Sequence, residues 1–291
     1  MTGKAEAVAH GAATIVNAIA LGKGAAFGVD LWTKAEVKLT DEPQVITGEI
    51  TSDHAESTVL IERTVARVFK YFNVEERFGA KVKTWSNIPA ARGLKSSSAA
   101  ANAVALATVA SLGKMLDDLE VVKLGVAAAF DAKVTVTGAF DDACASYFGG
   151  AVVTDNLKRE LLKRVTLPDG LTVMFHVPPR KAYTGDSDVK SLMTVKPLVE
   201  VAYTEALKGN FWPALSLNGV IYSSALGYDA SVASDALAAG ALAAGLCGKG
   251  PAVTAVVSSD KIDSVRTALQ SHEGEVLEAN LNHEKAKVLN Q

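Results

Sequence analysis

Residues 89–113 constrain this chain more than any other stretch. Pro89-Ala90-Ala91-Arg92-Gly93-Leu94 reads as an extended turn; Lys95, Ser96, Ser97 and Ser98 follow, and an alanine-rich run beginning at Ala99 continues to Gly113. The composition predicts a loop feeding a helix, with Ser96 or a neighbour capping its start and Gly113 stopping it. A helix start leaves backbone N–H groups without intrahelical partners and carries partial positive charge. An acidic residue in the first turn ordinarily answers that charge. Here the first turn has none, and offers a cation and three hydroxyls beside the permissive Gly93, which is what an anion needs. An ordinary capped helix that packs closely because its residues are small explains the same letters, so this stretch alone leaves both readings open.

The chain is long enough, at 291 residues with 49% hydrophobic side chains, to bury a substantial core, and we expect two lobes. A net charge of −3 with scattered lysines and arginines argues against nucleic acid and against a polybasic membrane surface, leaving a small molecule as the expected partner. Cys144 and Cys247 form no CxxC pair, so neither zinc nor a disulfide framework is indicated, and a reducing compartment is the default. Lys4 followed by the apolar run Gly11–Leu21 imitates a signal peptide, but Glu6, His10 and Asn17 interrupt the pattern. No segment reaches the roughly 20 apolar residues of a membrane span, so a soluble, cytoplasmic protein is expected.

Residues 5–16 and 26–39 read as strands, the second by the alternation of Phe27, Val29, Leu31, Thr33, Ala35, Val37 and Leu39, with a Gly22-Lys23-Gly24 turn between them. A short strand over 44–50, a helix over 56–72, extended residues 81–85 and a helix over 119–130 complete the first half. The charged stretch 156–168 marks the expected lobe boundary, giving lobes of 1–155 and 156–291. Beyond it we expect a strand over 171–177, helices over 189–207, 211–225 and 231–244, and a glycine-rich turn from Gly245 to Pro251. A strand over 252–257, a helix capped by Asp260 and a strand over 275–280 follow. Strands and helices in that order imply an α+β layout with an antiparallel sheet.

Asp141 and Asp142 stand side by side just beyond Gly138. One of them capping a short helix is the plain structural reading; a general base or a Mg²⁺ ligand is the functional one. Spacing removes several alternatives. Lys23 and Lys249 are each followed by glycine where a Walker A loop needs Ser or Thr, neither glycine pair completes a dinucleotide fingerprint, and HExxH, GxSxG, HRD and DFG are all missing.

What remains is three glycine- and hydroxyl-rich elements in a definite order. Residues 89–99 (Pro89 through Ser98 to Ala99) resemble the phosphate-binding loop of the GHMP kinase superfamily, usually Pro-x-x-x-Gly-Leu-Gly-Ser-Ser-Ala. Gly138-Ala139-Phe140-Asp141-Asp142-Ala143 resembles its segment with the catalytic aspartate, and 245–250 its third, glycine-rich motif. The serine triplet, the Thr-Gly-Ala-Phe-Asp-Asp string and residues 11–18 are most similar to the archaeal shikimate kinase family. That resemblance implies a two-lobed GHMP fold, with an N-terminal lobe like domain 2 of ribosomal protein S5 and a C-terminal ferredoxin-like lobe. It implies transfer of the γ-phosphoryl group of ATP to the 3-hydroxyl of shikimate with Mg²⁺, in aromatic amino-acid (chorismate) biosynthesis.

By the same resemblance the ATP phosphates lie along Pro89, Ala90, Ala91, Arg92, Gly93, Leu94, Lys95, Ser96, Ser97, Ser98 and Ala99. Ser97 and Asp131 hold Mg²⁺, Asp141 faces the acceptor hydroxyl, and Gly248 and Gly250 border the substrate. The shikimate carboxylate calls for a guanidinium, with Arg180 or Arg92 as candidates. Two departures stand out. Ala12 occupies the place where mevalonate-kinase-like relatives carry a lysine that assists their aspartate, and Lys95 replaces the usual loop glycine, so Lys95 is the conjectured substitute cation. Homoserine kinase, or a catalytically silent ATP-binding regulator, would fit the same motifs.

Overall fold

The computed structural model describes residues 3–90, 93–135, 137–179 and 189–291. The first half forms β1 (Lys4–Val16), β2 (Lys23–Thr40), β3 (Ile46–Ile50), α1 (Val59–Phe72), β4 (Gly79–Ser86), α2 (Ser96–Ser111), α3 (Asp118–Asp131), α4 (Phe140–Phe148), β5 (Ala151–Asp155) and β6 (Glu160–Val165). The 18-residue β2 organises this lobe. One edge pairs antiparallel with β1; the other is shared, residues 33–40 pairing with β4 and 23–27 with β5. β3 lies parallel to β4.

The alternation of small and apolar residues on β1 and β2 buries Ala7, Ala9, Ala12, Ala26, Ala35 and Val37 beneath the helices. α1 covers the sheet with Ile61, Val65, Val68 and Phe69, spaced for one helical face. Each such side chain contributes about 1.5–3 kcal/mol of apolar burial. α2 has no polar face to speak of: nearly all of its residues after Ser97 are buried, and their small size lets β1, β2, α1, α3 and α4 approach it from several sides. Gly125 on α3 sits so close that a Cβ there would touch that of Ala101 at 3.2 Å.

The second half contains β7 (Leu171–Val177), α5 (Val189–Thr194), α6 (Lys196–Lys208), α7 (Phe211–Leu226), α8 (Ser231–Ala238), β8 (Ala243–Leu246), β9 (Val253–Ser258), α9 (Ile262–Gln270), β10 (Glu275–Asn280) and β11 (Lys287–Asn290). Its sheet runs β10-β7-β9-β8, antiparallel throughout. With helices after the first and third strands this is the ferredoxin-like arrangement expected. None of the described helices is long and apolar enough to cross a membrane.

Several local expectations change. Asp260 does not cap α9, which starts after Lys261 without a side-chain cap; its carboxylate accepts from the Ser258 hydroxyl instead. The helix foreseen over 231–244 stops at Ala238, and 243–246 is strand β8: Gly240 turns the chain at φ 108°, and pairing with β9 outweighs the helix preference of alanine. The helix foreseen over 189–207 divides at Val195, where Pro197 opens α6. Residues 160–165, foreseen as part of a boundary, form β6 and pair with β5, so the first sheet continues past residue 155. The chain end returns as β11 to pair with β1, so the two lobes are not two successive halves of the chain.

Candidate active site

The three sequence motifs converge on one cavity of about 650 Å³. Its walls come from the end of β1 and the turn after it (Thr14, Asn17, Ala18), β4 (Thr84, Ser86), the loop before α2 (Pro89, Ala90, Gly93), the first turn of α2, the first turn of α4, and Gly248-Lys249-Gly250.

Lys95 is the residue from which α2 springs. It takes the left-handed conformation, φ 64°, and no side chain caps the helix, contrary to the serine cap expected. Ser96, Ser97 and Ser98 follow it around the cavity wall. An uncapped helix start with no acid in its first turn and three hydroxyls beside it is suited to phosphate. Leu94 and Ala99, expected among the phosphate contacts, are buried at 1% and 0% exposure in the core and anchor the loop from below. Ala91 and Arg92 lie outside the described residues. Gly93, at φ 90°, has no room for a side chain: a Cβ would stand 2.7 Å from the Cys247 carbonyl oxygen. The Cys247 thiol donates to the Gly93 carbonyl at 3.1 Å, so the first and third motifs are in direct contact.

Asp141 and Asp142 occupy the first turn of α4, whose start at Ala139 has no side-chain cap; neither carboxylate is doing a helix cap's work. Asp142 Oδ2 pairs with Lys95 Nζ at 3.0 Å, with both side chains only about a tenth exposed, while its Oδ1 has no hydrogen-bond partner among the described residues. Gly248 makes the pairing possible, because a Cβ there would come within 2.6 Å of the ammonium. Burial opposes the charge on Lys95, but Asp142, then Cys247 and Asp141, outweigh it and leave its pKa above the ordinary lysine value.

Asp141, 3% exposed, accepts a hydrogen bond from Asn156 Nδ2 at 2.8 Å. Gly24 leaves room for the other carboxylate oxygen: a Cβ there would lie 2.4 Å from Oδ2. Burial, and then the Asp142 charge, push Asp141 up to about 7 despite the opposing pull of Asn156 and Lys95. A carboxyl held near neutrality at the cavity wall can exchange a proton with a bound hydroxyl.

The structure brings together Asp141, Lys95, Ser96, Ser97, Ser98, Gly248 and Gly250, all lining the cavity. It does not bring Asp131 there. That carboxylate is gripped by the Arg67 guanidinium through both oxygens, which lowers its pKa, and it lines no part of the cavity. Arg180 lies outside the described residues. Ala12 is buried between sheet and helices, whereas Thr14, two residues on, faces the cavity with a buried hydroxyl that has no partner among the described residues. As for a divalent cation, no cluster of three His, Cys, Asp or Glu exists among the described residues. The exposed Ser97 hydroxyl suits a magnesium ion whose remaining ligands are phosphate oxygens and water.

Thr14 went unrecognised as a cavity residue at the level of sequence, and Asn156 as the partner of Asp141. Asn156 follows a strand and opens a charged stretch, so locally it reads as a turn residue; only the pairing of β5 with β2 brings it against Asp141.

The GHMP kinases N terminal domain matches residues 60–150. The shikimate kinase of Methanosarcina mazei is 46% identical over 288 residues, covering 98% of this chain and 97% of that protein. The shikimate kinase of Methanosarcina acetivorans is also 46% identical over the same length and coverage. Among solved structures, homoserine kinase from Cytophaga hutchinsonii superposes with a TM-score of 0.72 at 20% identity, covering 99% of this chain and 98% of that one, a likeness of fold. On identity sustained over nearly its whole length, the chain belongs to the archaeal shikimate kinase family, within the GHMP kinases.

Proposed function

We propose that this protein transfers the γ-phosphoryl group of ATP to the 3-hydroxyl of shikimate. The observation that carries the reading is the meeting, at one cavity, of an uncapped helix start, a lysine and a buried pair of carboxylates. Phosphoryl transfer asks a protein mainly for positioning and for positive charge at the phosphates, and those are what this wall offers.

The N–H groups opening α2 and the hydroxyls of Ser96, Ser97 and Ser98 hold the phosphates. Lys95 contributes positive charge at the same end and pairs with Asp142 at 3.0 Å. Asp141 orients the acceptor hydroxyl and takes its proton as the oxygen bonds to phosphorus and the bond to the ADP oxygen breaks. Ser97 would hold Mg²⁺ together with the nucleotide, and the ion would supply charge neutralisation at the transferring group. Lys249, in the turn between Gly248 and Gly250, adds a cation to the lining, and Arg180 and Arg92 stay the guanidinium candidates for the acceptor carboxylate.

ADP release measured with shikimate, homoserine and mevalonate tests the assignment. Mg²⁺-dependent release is expected with shikimate. Efficient turnover of homoserine or mevalonate with shikimate inert overturns the acceptor, and nucleotide binding without turnover across the panel overturns catalysis.

A further inference from the structure

We infer that Asn156 and Thr154 form a hydrogen-bond relay that positions Asp141, making Asn156 a positioning residue for phosphoryl transfer. The inference deepens the proposed function and rests on its assignment of Asp141 as proton acceptor.

Pairing of β5 with β2 sets Thr154 opposite Gly24 and Asp155 opposite Lys23, and the Asn156 N–H donates to the Gly22 carbonyl at 2.9 Å. The backbone that carries Asn156 is thereby fixed to the same turn whose Gly24 makes room for Asp141. Asn156 is 4% exposed, and its amide nitrogen donates to Asp141 Oδ1 at 2.8 Å. Its amide oxygen accepts from the Thr154 hydroxyl at 2.7 Å, a shorter contact than the 3.3 Å from that hydroxyl to the Gly24 carbonyl. Thr154 is fully buried, and its own carbonyl accepts from the Tyr203 hydroxyl of α6 at 3.2 Å.

Chemistry dictates the direction of the relay. An ionised carboxylate only accepts, so the amide must present its NH₂ edge to Asp141, and the Thr154 hydroxyl, donating to the amide oxygen, holds it that way round. A flipped amide would set oxygen against oxygen. The relay fixes one carboxylate oxygen and favours the charged form against burial and against Asp142. Beside Asp142, the other titratable groups that feel the charge of Asp141 are Lys95 from the start of α2, Cys144 on α4, and the hydroxyls of Tyr203 on α6 and Tyr222 on α7, which donate to the Thr154 and Asn17 carbonyls.

The test compares pH profiles of kcat, and KM for ATP, for the wild-type chain, Asn156→Ala, Thr154→Val, Thr154→Ser and Asp141→Asn. Loss of a hydrogen bond to a charged group should move the acidic limb for Asn156→Ala upward by roughly one to two pH units. Its rate should then fall about tenfold or more near neutrality and recover at alkaline pH, with KM for ATP little changed. Thr154→Val should shift the limb the same way by less, and Thr154→Ser, which keeps the hydroxyl, should restore the wild-type limb. An unmoved limb in Asn156→Ala, or a rate lowered equally at every pH, overturns the relay; should that variant not fold, Thr154→Val read against Thr154→Ser decides. The underlying reading fails differently: Asp141→Asn would then turn over like the wild type.

Discussion

Exchanging Asp141 for Asn should make the protein inactive and, above neutral pH, more stable. The unfolded chain ionises this carboxyl near 3.8, whereas in the folded protein burial and Asp142 hold its proton until about pH 7. Between those values the folded state binds a proton that the unfolded state has released, so the contribution of Asp141 to stability is present below the lower value and is lost as pH rises through the upper one. A separation of about three units corresponds to roughly 4 kcal/mol when fully expressed. Asn keeps the shape and an oxygen for the Asn156 amide but carries no charge. Urea denaturation at about pH 4.5 and about pH 8 should therefore show the stability of Asp141→Asn rising relative to wild type by roughly 3 kcal/mol between the two. Turnover should fall by roughly 10² or more with smaller changes in KM. Asp142→Asn is the contrast, because it strips a buried ammonium of its partner and should destabilise by about 3–5 kcal/mol. A stability difference that does not move with pH, or an Asp141→Asn enzyme within about threefold of wild type, refutes the reasoning.

Ser97→Ala should raise the Mg²⁺ concentration needed for half-maximal rate, while Asp131→Ala, at a site occupied by Arg67, should leave that concentration unchanged; the opposite pattern would return the metal to Asp131. Gly24→Ala should lower kcat more than it raises KM for ATP, because the new methyl would displace the Asp141 carboxylate, and a normal kcat would show that the carboxylate has room to spare. Lys95→Met should destabilise by about 3–5 kcal/mol, and adding Asp142→Asn should recover much of that loss, which a double-mutant cycle in urea measures.

Local chemistry made much of this architecture readable. The alternation from Phe27 to Leu39 becomes β2, the helical spacing of Leu60, Thr64, Val65 and Val68 falls on the buried face of α1, and the alanine run after Ser98 becomes the helix at the centre of the first lobe. The readings that changed are those decided by partners distant in sequence. Ala243–Leu246 has helical composition and becomes a strand because β9 is there to pair with it; Lys287–Asn290, exposed and polar enough to pass for a tail, becomes a strand because the outer edge of β1 is open to it. The same division runs through the site. Asp141 and the serines were legible because they sit in short contiguous strings, whereas Asn156 reaches Asp141 only through sheet pairing and has no local signature.

On the proposed mechanism, the two departures from the superfamily pattern, Ala12 and Lys95, answer one another. A lysine at position 12 would have to leave a site where the present alanine is fully buried between the sheet and its helices. Lys95 reaches Asp142 from the start of α2. Its backbone takes a left-handed conformation that costs a non-glycine residue roughly 1–2 kcal/mol, which is why glycine is the usual occupant of such a position. A strained residue persists where surrounding interactions over-determine it. Here those interactions are the 3.0 Å pairing with Asp142 and the field of Asp141, in a pocket that Gly248 leaves open for the ammonium. On the mechanism proposed above, the positive charge has moved from the strand to the phosphate loop, and backbone strain at Lys95 accompanies its place between phosphates and carboxylates.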